Sequence, residues 1–504
     1  MTGTRRQPTS AASRRIGGSP PVTSPRTAPF EPTVDSLAGF EVPDWFRDAK
    51  LGIWSHWGPQ SVPRFGDWYA RNMYREGTDQ YNYHLRTYGH PSRFGYKDLV
   101  ALWKAERFDP EELMDRYVAA GAKYFVAQAV HHDNFLNYGS ALHRWNSVNV
   151  GPGLDIVAAW RQAAVARGLP IGLSEHLGAT FTWWAVNKGA DSAGPYAGVP
   201  YDGTDPDHLD FYLPNHEHVA DSRRGVPEPW YTTDPQWHSR WLELVTEMID
   251  TFQPDLLYTD GALPFDSDGR AAGARAVAHL YNTSARAHGG VNHAVYTQKM
   301  REPQVARVGV LDIERSQEPD IRPEPWQTDT CVGGWFYDVR ATYKRPGHVL
   351  EILVDIVAKN GNLLLNIPQR PDGSIDDECR YLLDEMARWV AICGEGIFGT
   401  RPFRVFGEGP SSVVIDHFRE DRVDWTARDV RFTQRDRTVY AFLMRWPSDG
   451  SALIRSFTSS DDVRSVRLLG SDPVPWEQSA QGLHVRLPDA GPAGDLNCLA
   501  IDLA

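Results

Sequence analysis

Asp255-Leu256-Leu257-Tyr258-Thr259-Asp260-Gly261 is a short apolar run that stops on a carboxylate and a glycine. It does not alternate apolar with polar residues. That is the pattern of a strand covered on both faces, as in a parallel sheet. Similar runs stand at 51–56, 124–130, 171–176, 291–297, 308–313 and 363–367, with an eighth candidate at 327–332. Amphipathic stretches lie between most of them. Asp109-Pro110-Glu111-Glu112 opens one, with an N-cap, proline at the first helical position and acids in the first turn. Residues 154–167 form another, closed by Gly168. A third begins at Asp234-Pro235 and carries Trp237, Trp241, Leu244, Val245 and Met248 at helical spacing. Residues 347–359 and 376–392 complete the set.

Buried strands alternating with helices predict an α/β fold, a (β/α)8-type TIM barrel with long loops over residues 36–399. A doubly wound sheet is the alternative, but it would normally bring a glycine-rich phosphate turn, and the chain has none. After residue 399 the texture changes. Short alternating segments at 412–415, 438–445, 463–469 and 482–487 predict a small C-terminal all-β sandwich over 400–504. Residues 1–35 are rich in Arg, Ser, Thr, Pro and Gly, and the expectation there is a disordered tail. Arg5-Arg6 and Arg14-Arg15 are not followed by an apolar stretch, so no export signal is read and a cytoplasmic location is expected.

Among 504 residues, 41% are hydrophobic and 23% charged, and the formal charge is -13. An acidic balance argues against a nucleic-acid partner, which needs cations to displace phosphate counterions. No apolar run is long enough for a membrane span. The four cysteines are far apart and read as buried thiols. The 18 Trp, 20 Tyr and 20 Phe suit a large core but also a sugar binder, because an aromatic face covers the C–H face of a pyranose.

In a barrel the catalytic groups sit at the C-terminal ends of the strands. The tips here carry His56, the pair His131-His132, Glu175-His176, Asp260 and Glu314. Each has a bland reading: Asp260-Gly261 as a turn, His56 as a core histidine, Glu314-Arg315 as a surface ion pair. A metal site is not expected, since adjacent strand residues such as His131 and His132 point to opposite faces. No cofactor is expected. A ring of histidines and carboxylates suits a polyhydroxylated ligand, and two carboxylates flanking a glycosidic bond supply a nucleophile and a general acid.

At these residues the chain resembles the family 29 glycoside hydrolases, the α-L-fucosidases. The resemblance rests on Lys50-Leu-Gly-Ile-Trp-Ser-His56-Trp57-Gly58, Asp67-Trp68-Tyr69, His131-His132-Asp133-Asn134-Phe135, Trp145-Asn146, Asp155, 255–261, Trp326 to Cys331, and Asn360-Gly-Asn362-Leu-Leu-Leu-Asn366 with Asp372-Gly373. These occur in the family's order across about residues 40–400. The resemblance implies Asp260 as nucleophile. It implies His56, His131 and His132 as donors to sugar hydroxyls, with Asp67 and Trp68 in the same pocket. The family's acid/base is its least constant part; counting back from Trp326 selects Glu314, with Glu302 and Glu318 in reserve. Arg301 is carried over as a weak match to an arginine that touches the sugar. The implied partner is an oligosaccharide or glycoconjugate, with a homo-oligomer left open.

Four departures from the family pattern stand out: Asp67 for Glu, Asn134 for Gly, Tyr258 for Trp, and Ser174-Glu175-His176 for Tyr-Tyr-Ser. With Glu175, His176 and Tyr258 placed in the glycone pocket, these changes predict room for an extra hydroxyl. The expected reaction is therefore retaining hydrolysis of an α-L-fucosyl residue or of a related L-sugar such as L-galactose. A non-catalytic sugar-binding protein on the same frame and a metal-dependent hydrolase are the competing classes. The C-terminal module is expected to brace the barrel, since Trp425, Trp446 and Trp476 form no evident platform.

Overall fold

The computed structural model describes residues 29–214, 219–221, 225–265, 272–302, 305–416, 418, 420 and 422–504. Eight parallel strands close into a barrel: β1 (Leu51–Ser55), β2 (Tyr124–Val130), β3 (Ile171–Glu175), β4 (Leu256–Thr259), β5 (Val295–Gln298), β6 (Val310–Glu314), β7 (Trp326–Cys331) and β8 (Gly361–Asn366). Each pairs with its neighbours in chain order, and β1 closes on β8 with Leu51 opposite Leu363. All eight expected runs are strands. The fifth starts later than its apolar run, at Val295.

The interior is a packed layer. Trp54, Tyr124, Val126, Leu256, Tyr258, Val295, Val310 and Leu364 form one buried cluster. Gly52 in β1 faces Tyr124, and a Cβ there would run into the ring. The absent side chain lets Tyr124 cross the barrel and donate to Gln327 at 2.8 Å.

The five expected helices are Pro110–Ala119, Ile156–Ala166, Pro235–Phe252, Pro346–Ala358 and Asp377–Cys393. Asp109, Asp155, Asp234 and Asp376 each cap their helix through the carboxylate. The helix Ala272–Ala287 is an addition to that set; its first turn comes after a polar loop without a clear start signal. Among the described residues β5 reaches β6 through a single 3-10 turn, Ala306–Val308, and β6 reaches β7 without a helix.

The N-terminal segment corrects one expectation. Residues 1–28 lie outside the described residues, but 29–35 are not a structureless tail. Phe30 is buried against Tyr281 with ring centroids 5.2 Å apart, and its amide donates to Asn282 Oδ1 at 2.6 Å. Val34–Leu37 is a helical turn capped by Thr33, with Leu37 buried. Phe30, Leu37 and Phe40 pack beside the helix-poor β5–β6 edge, where they bury apolar surface that a barrel helix would otherwise cover.

After the barrel come eight antiparallel strands: β9 (Arg401–Glu408), β10 (Val430–Arg435), β11 (Thr438–Leu443), β12 (Ser451–Ile454), β13 (Val463–Leu468), β14 (Trp476–Ser479), β15 (Gly482–Arg486) and β16 (Asn497–Leu503). They form a five-stranded sheet, β9-β10-β11-β16-β13, facing a three-stranded sheet, β12-β15-β14. A separate core fills the space between them. The segment 412–415, expected as a strand, belongs to a long irregular connection from β9 to β10. The other face of the large sheet contributes Tyr440, Phe442 and Cys498 to the barrel's own core. Arg431 on β10 pairs with buried Asp355 of the barrel helix Pro346–Ala358. All four cysteines are free and buried. Among the described residues no helix is long and apolar enough to cross a membrane.

Candidate active site

Parallel strands deliver their last inward-facing side chains to one mouth, and that mouth is a cavity of about 350 Å³. Trp54, His56, Asp67, Trp68, His131, His132, His176, Tyr258, Asp260, Glu314, Asp329, Trp230, Trp335 and Phe418 line it. Strand alternation explains the tips of β3 and β4: Ser174 and His176 face inward, as do Tyr258 and Asp260. Ser174 accepts from Trp54 Nε1 at 3.2 Å. The backbone amide of Asp260 donates to the Glu175 carbonyl at 3.3 Å, which docks the tip of β4 on that of β3.

Asp260 is held by three neighbours. His132 Nε2 stands 3.3 Å from Oδ2, His176 Nδ1 3.7 Å from the same oxygen, and Lys299 Nζ 3.9 Å from Oδ1. His132 donates its Nδ1 proton to the carbonyl of His176 at 2.6 Å, which orients the ring toward the carboxylate. Burial disfavours an ionised Asp260, but the His132 hydrogen bond and the charge of Lys299 outweigh it and hold the group well below the usual carboxylate range.

Glu314 moves in the opposite direction. Burial pushes its carboxyl up to about 8; Lys299 opposes the shift, and the charges of Asp329 and Asp260 reinforce it. The main cause is therefore desolvation, with repulsion from Asp260 a lesser contribution. Lys299 Nζ lies 3.2 Å from Glu314 Oε2, 3.2 Å from Asp312 Oδ2 and 3.2 Å from Asp329 Oδ2. Burial works against the ammonium, yet the surrounding carboxylates keep it charged well above the ordinary lysine range. Because one nitrogen touches both Glu314 and Asp260, their oxygens are at most about 7 Å apart, a bound that includes the retaining separation of about 5–5.5 Å. Tyr258 donates to Asp329 at 2.8 Å, and its ring lies 5.3 Å from Lys299 Nζ.

The histidines are mostly neutral donors or acceptors. Burial lowers His56 to about 3 and takes His131 and His176 well below the imidazole range. Gln60 Nε2 lies 2.7 Å from His131 Nδ1, which leaves Nε2 to carry the ring proton. Trp68 adopts a left-handed backbone with φ 55°, its amide donating to Asp67 Oδ1 at 2.9 Å, and its indole stacks on Trp230 at 6.1 Å. Burial raises Asp67 to about 7.

Several sequence expectations fail here. Glu175 is fully buried but faces out of the barrel, where its Oε2 accepts from Trp241 Nε1 at 3.2 Å and from the Leu177 amide at 2.9 Å. It is one residue out of phase with Ser174 and His176, so it cannot meet an extra sugar hydroxyl. Arg301 is also outside: its side chain is 58% exposed and pairs with Glu318. That contact occupies Glu318, and Glu302 is exposed, so neither reserve acid reaches the cavity. Asn134 does not alter the pocket. It has φ 61°, a conformation that Gly or Asn tolerates, and its amide ties down the carbonyl of Phe211 at 2.9 Å. His131 and His132 do not point apart, because β2 ends at Val130 and alternation ends with it. Two groups, His56-His131-His176 and His132-His176-Asp260, have ligand atoms within 4.8 Å of one another, so the strand argument against a cation at this mouth does not hold.

The residues missed are Lys299, Asp312, Asp329, Trp230, Trp335 and Phe418. Lys299 had a signal: it comes two residues after the fifth apolar run, near the place where a strand tip is read. Asp312 and Asp329 lie at inward positions of β6 and β7, within runs expected to be apolar. Trp230 and Phe418 come from distant loops and carried no local sign.

A closed parallel barrel whose tips gather an ionised carboxylate, a protonated one and an aromatic-walled cavity defines a glycoside hydrolase. The sequence comparisons make the class specific. The family profile described as alpha-L-fucosidase matches residues 21–395, and that of the alpha-L-fucosidase C-terminal domain matches 423–499. The tissue alpha-L-fucosidase of Rattus norvegicus is 28% identical over 493 residues, 96% of this chain and 92% of its own length. The plasma alpha-L-fucosidase of Homo sapiens is 26% identical over 91% of this chain and 88% of its own. Among solved structures, that of the Thermotoga maritima alpha-fucosidase in complex with fucose superimposes with a TM-score of 0.71 at 23% identity, covering 94% of this chain and all of that one. The chain belongs to the α-L-fucosidase family and is a glycoside hydrolase with that family's barrel and β-sandwich.

Proposed function

We propose that the chain is an exo-acting α-L-fucosidase that releases terminal α-L-fucosyl residues from oligosaccharides or glycoconjugates with retention at the anomeric carbon. The observation that carries the reading is the opposite displacement of two carboxyls in one cavity, with Asp260 held ionised and Glu314 held protonated to about 8, the first 3.9 Å and the second 3.2 Å from Lys299 Nζ. In the first step an Asp260 oxygen bonds to the anomeric carbon as the glycosidic C–O bond breaks. The Glu314 proton passes to the departing oxygen, so the aglycone leaves as an alcohol. In the second step Glu314, now a carboxylate, takes a proton from water. The resulting C–O bond displaces Asp260 and regenerates both groups. His56, His131 and Asp67 line the space for the sugar hydroxyls, and Trp335 and Trp54 wall it beside His56.

L-Fucose is favoured over L-galactose as glycone. The extra hydroxyl of L-galactose would need a polar partner, and Glu175, which sequence offered for it, faces away. The test is direct: Asp260→Gly loses turnover of an aryl α-L-fucoside, and added azide restores release of the aryl group with formation of β-L-fucosyl azide. Full activity in this variant, or a first-formed sugar of inverted configuration from the wild type, refutes the proposal.

A further inference from the structure

The cavity is not made by the barrel alone. Phe418, from the long connection between β9 and β10 of the C-terminal module, lines it and is 48% exposed. Two residues on, Glu420 ties this stretch to the barrel. Its Oε2 accepts from Thr330 Oγ1 at 2.8 Å and from Lys344 Nζ at 3.0 Å, and it pairs with Arg315 Nε at 3.3 Å. The Glu420 side chain is 10% exposed, so these contacts form a shielded anchor and not a loose surface pair. Arg315 directly succeeds Glu314, and Thr330 lies on β7 beyond Asp329. The anchor thus places Phe418 on the Glu314 side of the mouth. In a two-carboxylate mechanism the general acid stands against the departing oxygen, so the leaving group must lie on that same side.

We propose that Phe418 forms a wall of the leaving-group subsite, where it covers the C–H face of a saccharide aglycone, and that Glu420 holds it there. This rests on the fucosidase reading. The C-terminal module then takes part in choosing the substrate as well as bracing the barrel. An exposed aromatic face beside the histidines and carboxyls of the mouth is the expected recognition element for a pyranose, which is apolar on one face and hydroxylated at its edge.

The test compares two substrates, a fucosyl-galactose disaccharide and α-L-fucosyl fluoride, whose leaving group is too small to reach Phe418. In Phe418→Ala the ratio of kcat/KM for the disaccharide to that for the fluoride falls by about tenfold, of the order an aromatic contact contributes. Phe418→Tyr restores the ratio, and Glu420→Ala lowers it in the same direction. Inhibition by free L-fucose, which fills only the glycone space, reports whether the rest of the site is intact. A ratio equal to that of the wild type in Phe418→Ala, or an equal loss on both substrates, overturns the inference and leaves the fucosidase reading standing. Failure of the wild type to cleave either substrate overturns both.

Discussion

Replacing Lys299 by methionine removes the cation shared by the two proposed catalytic carboxyls while keeping a side chain of similar length. In the wild type Nζ is 3.2 Å from Glu314, Asp312 and Asp329 and 3.9 Å from Asp260. At an effective dielectric constant of about 20, one contact at 3.2 Å is worth about 5 kcal/mol before the surroundings respond. The surroundings relax most of that, and Asp312 adds no charge of its own, since burial and Asp329 already hold it well above the ordinary carboxylate range. A residual of about 1–3 kcal/mol corresponds to about 1–2 pH units. The ammonium lowers Glu314, so its loss raises that group above about 8, and the alkaline limb of kcat/KM moves to higher pH. It also lowers Asp260, so the acid limb moves up as well. The whole bell therefore shifts toward alkali. Its maximum falls by about 10- to 100-fold, because Glu314 becomes a weaker acid. The assay is the pH dependence of kcat/KM for an aryl α-L-fucoside, with thermal melting to show that the variant is folded. Lys299→Arg should return both limbs toward the wild type. A folded Lys299→Met whose limbs stay in place, or move toward acid, refutes the electrostatic assignment.

In the wild type, kcat/KM should fall as pH rises through about 8, because the protonated Glu314 is the proposed acid of the first step; a pH profile of kcat/KM that is flat to pH 9 contradicts the assignment. Arg301→Ala should leave kcat/KM within about twofold of the wild type, since the side chain is exposed and pairs outside the cavity, where a single ion pair contributes little; a large rise in KM would return it to the sugar site. Glu175→Gln should keep the ratio of L-fucoside to L-galactoside cleavage while lowering the melting temperature, and a changed ratio at unchanged stability would show that Glu175 reaches the glycone. Exhaustive dialysis against EDTA should leave turnover unchanged, and loss restored by a divalent cation would place a metal among His56, His131, His132, His176 and Asp260. Phe30→Ala should cost about 3 kcal/mol in denaturant unfolding, the usual range for a buried phenylalanine, with the rate per folded molecule kept; a neutral change would mean the N-terminal segment does not hold the barrel edge.

The barrel could be read from one dimension because its signals are local. A strand buried on both faces is a run of apolar residues, a helix start is an aspartate before a proline, and both survive without knowledge of neighbours. Asp260, His56 and Glu314 are legible for the same reason, since each stands at the C-terminal end of such a run. Where the local rule was one residue out of phase, the assignment failed. Glu175 and His176 are adjacent, yet alternation sends one out to Trp241 and the other into the cavity. His131 and His132 are adjacent too, and both enter, because the strand has already ended at Val130.

Sequence by itself determined the order of strands, the separate β module and the carboxylate at the end of β4, since each depends on periodicity or on the residue at a strand's end. Tertiary structure decided the rest. It placed Lys299 between four carboxylates from three other strands, and it set Glu314 in a desolvated position that keeps its proton. It also brought Phe418 from more than a hundred residues away to the mouth. The physical reason is that desolvation and Coulomb interaction depend on distance through space, which chain order does not encode.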